Sequence, residues 1–67
     1  MKFIKVKNTQ GKDCIINLSN VSHFFSNSEN ETTICFTHYE DYERVAISIE
    51  DVHQKLNAMN HLNSEEW

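Results

Sequence analysis

The sequence predicts a small α+β domain, an antiparallel sheet of about five strands with one C-terminal amphipathic helix packed on one face. Three observations carry this. Short alternations of apolar and polar residues recur between positions 3 and 47, the period of half-buried strands. Turn-forming residues, including the single glycine, Gly11, punctuate them. From Ser48 onward the apolar period lengthens from two to about three and a half, the spacing of one helix face.

Residues 3–7 (FIKVK) and 13–18 (DCIINL) flank Asn8-Thr9-Gln10-Gly11-Lys12. A hairpin loop there needs a residue tolerant of positive φ, which Gly11 supplies. After Ser19-Asn20, residues 21–26 (VSHFFS) form a third strand. Asn27 to Glu31 is wholly polar and predicts a solvated loop. Residues 32–37 (TTICFT) form the fourth strand, His38 to Asp41 turn the chain, and residues 42–47 (YERVAI) form the fifth. The Ser48 hydroxyl can then cap a helix, with Glu50 and Asp51 placing negative charge in its first turn. Ile49, Val52, Leu56 and Met59 share one face of it, with Leu56 expected as the central anchor, and Asn60 is the expected stop.

Alternation assigns the sheet faces. The face under the helix takes Ile4, Val6, Ile16, Leu18, Ile34, Phe36, Val45 and Ile47. The opposite face takes Phe3, Ile15, Cys35 and Ala46 beside Lys5, Lys7 and Arg44. Adjacent Phe24 and Phe25 send one ring to each face, and the pattern does not say which goes where. The second face is more apolar than plain solvent surface requires, which marks it as the place to look for an interaction.

Sixty-seven residues hold one domain, assigned to 1–60, with 61–67 as a fraying polar tail. At this size apolar burial at about 25 cal/mol per Å² comes out near even with about 1.5 kcal/mol of ordering entropy per residue. Short chains commonly add a disulfide, a metal or another subunit. The N-terminal MKFIKVK has no apolar run of signal-peptide length, and no segment reaches the ~20 apolar residues of a membrane helix. A cytoplasmic location is expected, where Cys14 and Cys35 stay reduced. A homo-oligomer, or an unidentified protein partner, is then the expected support.

The formal net charge is −4, with four of six basic residues in the first twelve positions and seven of ten acids between 29 and 51. A nucleic-acid binder would carry a basic footprint, so nucleic acid is not an expected partner. Nor is a membrane. The four histidines and two cysteines show no C-x2-C or H-x3-H spacing, so no metal or cofactor is expected. A cysteine nucleophile needs a base, an orienting group and a cleft, and neither cysteine follows an elbow-like turn. Glu40, Asp41 and Glu43 sit where charges are simply solvated. No catalytic residues are assigned, and the chain is not expected to be an enzyme.

Gly11-Lys12-Asp13-Cys14-Ile15-Ile16-Asn17, followed by Val21 and Phe24 and later by Ser48-Ile49-Glu50-Asp51-Val52 with Leu56, resembles the short flagellar-operon proteins of the FlbD (SwrD) type. The resemblance covers roughly residues 3 to 58. It implies a glycine-lysine-acid hairpin, an apolar strand, an Asn-led turn and a serine-started terminal helix. Its motifs are fold-forming rather than chemical. Ile16 to Leu56 is also similar to the first half of a LytTR domain, which would imply a regulatory, nucleic-acid-binding half-domain as the alternative.

The functional expectation is a non-catalytic protein-interaction module, self-associating through the sheet face or edge that the helix leaves uncovered. Its expected interface residues are Phe3, Lys5, Lys7, Ile15, Phe25 and Arg44, joined as one apolar patch with cationic flanks.

Overall fold

In the computed structural model, which describes residues 2–38, 40–59 and 63–67, the alternating runs become strands that gather into two three-stranded sheets rather than one sheet of five. β1 (Phe3–Lys7) and β2 (Asp13–Asn17) pair antiparallel, with Ile4 opposite Ile16 and Lys5 opposite Ile15. Their hairpin passes through Gly11 at φ 81°, a left-handed conformation that glycine adopts without a Cβ penalty. The Asn8 side-chain oxygen accepts from the backbone N–H groups of Gln10 and Lys12, which holds the loop tight.

The first sheet stops where local hydrogen bonding outcompetes strand pairing. Asn17 caps a 3-10 turn over Leu18–Asn20, its side-chain oxygen accepting from the Ser19 N–H at 3.0 Å and the Ser19 hydroxyl at 2.7 Å. Beyond this turn β3 (Val21–Ser28) pairs with β4 (Glu31–Phe36) and not with β2. That is why the expected single sheet divides. The expected loop over residues 27–31 is also tighter than its polarity suggested. Pairing runs on to Ser28 and Glu31, and register shifts between Val21 and His23 and between Ser26 and Ser28 absorb the extra length. β5 (Tyr42–Val45) completes the order β3-β4-β5.

α1 (Ile49–Ala58) begins as its sequence predicts, with the Ser48 hydroxyl accepting from the Asp51 N–H at 3.1 Å and with Glu50 and Asp51 in the first turn. It packs against β3 and β4. The expected stop at Asn60, and His61 and Leu62 of the expected tail, lie outside the described residues. Residues 63–67 of that tail pair with β1 where fraying was expected. β6 (Ser64–Glu66) adds to β1 in parallel, Phe3 opposite Ser64 and Lys5 opposite Glu66. The Phe3 N–H donates to the Asn63 carbonyl at 2.8 Å and the Trp67 N–H to the Lys5 carbonyl at 2.7 Å. The folded unit therefore extends past residue 60, because β1 had a second edge to fill.

All eight residues assigned to the covered face contribute to the core. Ile4, Val6 and Ile16 from one sheet meet Ile34 and Val45 from the other together with Met59, and Leu18, Phe36, Ile47 and Trp67 pack on this cluster. The second layer over β1 and β2 is thus another sheet, not the helix alone, an arrangement in which inner faces interdigitate. Leu56 is only half-buried, whereas Val52 and Met59 are each 1% exposed. The expected central anchor is therefore displaced by one turn to either side. The two sheets are tied at one end, where Asn8 bridges to Val45 and the Thr9 N–H donates to the Arg44 carbonyl at 2.9 Å.

Candidate functional site

The split between the sheets decides where the six expected interface residues lie. Phe3, Lys5, Lys7 and Ile15 share the outer face of the first sheet, with Lys5 and Ile15 directly opposite in register. Phe25 and Arg44 lie on the outer face of the second, as the two register neighbours of Thr33. Because the inner faces share one core, the outer faces point away from each other, and the expected single patch becomes two. Ile15 is 75% exposed, Phe25 45% and Phe3 37%. Phe24 turns inward onto the core, its ring centroid 6.2 Å from that of Trp67, so Phe25 is the outward member of the pair.

The cationic flanks are not free. Lys5 pairs with Glu66 at 3.6 Å, Lys7 with Asp13 at 3.6 Å, and the Arg44 guanidine nitrogen lies 3.9 Å from Glu31. Arg44 also sits over the Tyr42 ring, 5.1 Å from its centroid. Exposed pairs of this kind contribute about 0–1 kcal/mol each, so they satisfy the charges without locking them.

A third feature is a cleft that no sequence pattern announces. β2 and β5 are both edge strands, strapped together at the Asn8 end and splayed apart below it. At the head of the gap one Glu43 carboxylate oxygen accepts from the Asn8 amide at 3.3 Å and from the Cys14 thiol at 3.8 Å. Beneath lies an open cleft of about 670 Å³, with Ile15 and Asn17 of β2 on one side, Tyr42 and Glu43 on the other, and Phe36 and Asp41 completing it. It wraps the β2 edge and reaches Phe3 on the outer face. By sequence alone Asp41 and Glu43 read as solvated turn charges. Their meeting with β2 depends on how two sheets pack, a relationship between residues about thirty positions apart that spacing does not encode.

The electrostatics at the head of the cleft favour a neutral thiol. Burial first, and the Glu43 carboxylate next, push the Cys14 thiol above its usual range, the reverse of the electropositive setting that creates a thiolate nucleophile. Cys14 and Cys35 are both free thiols. His23 shares a hydrogen bond with the Ser22 hydroxyl at 2.9 Å and stacks against Phe25 at 6.0 Å between centroids. Among the described residues no three His, Cys, Asp or Glu side chains gather as a metal-binding group, and no helix is long and apolar enough to cross a membrane. Compared with family models, with curated proteins and with solved structures, the chain matches none.

Proposed function

We propose that the chain is a non-catalytic protein-interaction module that acts in the cytoplasm and associates with itself through sheet surface that α1 does not cover. The observation that carries this reading is the pair Ile15 and Phe3, large apolar side chains exposed on the outer face of the first sheet. Apolar anchors with satisfied charges at their rim suit an interface between proteins. The size of the domain supports it further, since a small core gains from surface buried against a second copy.

The test is light scattering over a protein concentration series from low to high micromolar. The expected result is a mass that rises to a closed oligomer, little affected by salt, with a melting midpoint that rises alongside it. The double variant Phe3→Glu with Ile15→Glu should remain folded and monomeric, because both residues lie outside the core. A wild-type chain that stays monomeric throughout overturns the reading. Association lost steeply with added salt would point instead to a charged partner.

A further inference from the structure

The two sheets expose four strand edges among the described residues, on β2, β6, β3 and β5, and three of them are blunted. β3 is interrupted by two register shifts, a common protection against edge pairing. β6 is three residues long and presents Glu66. β5 is strapped at Arg44 and Val45 by Thr9 and Asn8. β2 alone runs through five consecutive partners without a shift and opens onto a cleft.

Its backbone is aimed into that cleft. The Asn8 N–H donates to the Lys12 carbonyl and the Leu18 N–H to the Lys2 carbonyl, both at 2.9 Å, so the even-numbered residues bond toward β1. Antiparallel ladders alternate, which turns the N–H and C=O groups of Ile15, with the neighbouring groups of Asp13 and Asn17, away from β1 and out of the edge. No strand among the described residues lies beside them. The cleft they face carries the carboxylates of Asp41 and Glu43, and no lysine or arginine lines it among the described residues.

We infer that this cleft captures an extended peptide segment, which adds as a strand to the β2 edge and alternates apolar side chains with lysine or arginine. Strand addition gives affinity through main-chain hydrogen bonds and specificity through alternate side chains. Apolar residues on one face of the added strand meet Ile15 and Phe3, and basic ones on the other meet Glu43 beside Asp41. A lone peptide needs less room there than a second copy, whose β2 would bring its own β1 alongside, another ~4.8 Å beyond the first added strand. The inference does not rest on self-association, although the cleft shares Ile15 and Phe3 with that outer face.

The probe is a capped Lys-Val-Lys-Val-Lys peptide, with Glu-Val-Glu-Val-Glu and Lys-Pro-Lys-Pro-Lys as controls. Amide exchange and amide chemical shifts are read along β2, and Cys14 alkylation is read in a Cys35→Ser background. The expected result is saturable binding that slows amide exchange at Ile15 and Asn17 and slows Cys14 alkylation severalfold. The proline peptide, whose two prolines lack an N–H and do not fit a paired strand, should do neither. Asp41→Asn with Glu43→Gln should weaken binding at least severalfold while the amide spectrum stays that of a folded chain. Absence of binding at millimolar peptide, equal binding of the acidic peptide, or shifts confined to β3 overturns the inference. So does protection of Ile15 that grows with protein concentration when no peptide is present, since the edge would then belong to another copy. A monomer that binds the peptide removes only the self-association reading, and an oligomer that does not bind it removes only this one.

Discussion

Cys14 and Glu43 face each other across the head of the gap between β2 and β5, thiol to carboxylate oxygen at 3.8 Å, although 29 residues separate them in the chain. The same oxygen holds the Asn8 amide, so one carboxylate ties the β1–β2 hairpin to the opposite sheet and adds to the effect of burial on the thiol. Burial and this carboxylate both favour S–H over thiolate. Cys14 should therefore alkylate slowly near neutral pH, with its rate rising only at pH above the usual thiol range. Glu43→Gln removes the negative charge and should move that profile to lower pH, as iodoacetamide kinetics in a Cys35→Ser background would show. The sign for stability follows from the same shift. With the folded thiol raised above its unfolded value, the contribution is complete below the unfolded value and is lost as pH rises through the folded one. Wild-type stability should fall more than that of Cys14→Ala across this alkaline window.

The helix offers a ranking. Met59 and Val52 are each 1% exposed, and Met59 belongs to the buried cluster. Met59→Ala should cost about 2–5 kcal/mol, and the half-buried Leu56→Ala distinctly less. Ser48→Ala should cost about 1 kcal/mol through loss of the cap. Urea melts of the three variants check the order, and a Leu56 variant less stable than the Met59 variant would contradict it.

Thr32 and Thr33 are adjacent, both buried, and differently partnered. The Thr32 hydroxyl donates to the Ile47 carbonyl at 2.6 Å, whereas the Thr33 hydroxyl has no partner among the described residues. The same substitution should therefore have unequal effects. Thr32→Val removes the hydrogen bond to the partly buried Ile47 carbonyl and should cost about 1 kcal/mol. Thr33→Val removes a buried polar group that bonds to nothing described and should be neutral or stabilising. Equal losses at both positions would show that the Thr33 hydroxyl has a partner after all.

Trp67 is the sole tryptophan, so its fluorescence reports on β6 directly. Packed on the core and near Phe24, it should emit at short wavelength in the native state and shift to the red on unfolding. Trp67→Ala should lower stability by about 2 kcal/mol, below the range for a fully buried ring because the indole is only partly covered. Solvent-exposed emission from the folded chain would instead mark a frayed tail.

What the sequence made legible was local. Gly11 in its loop, Ser48 at the helix start and the inward alternation of Ile4, Val6, Ile16, Ile34 and Val45 each follow from interactions within a few residues. What it hid depends on distance. Ser19 and Asn20 read as punctuation, but punctuation does not distinguish a turn within one sheet from a step to another. Ser64-Glu65-Glu66 carries no apolar alternation, and its strand conformation comes from β1. A helical period defines a face and not its centre, so it does not rank Leu56 against Val52 and Met59 on that face. The cleft needs both sheets placed before Asp41 and Glu43 can be seen beside β2.

The parallel pairing of β1 with β6 has a consequence for the order of folding. Phe3 and Ser64 are partners, so one edge of β1 waits until nearly the whole intervening chain has been made and arranged. The meander from β3 through β5 closes only short loops and can assemble early. Loop-closure entropy grows only slowly with length, yet long-range pairings of this kind set the pace of folding. During synthesis Ile4 and Val6 would have β2 on one side and open water on the other, an interval in which the growing chain is more sticky than the finished one. The last step is then a zipper closing beside β1, and Trp67 is its visible latch.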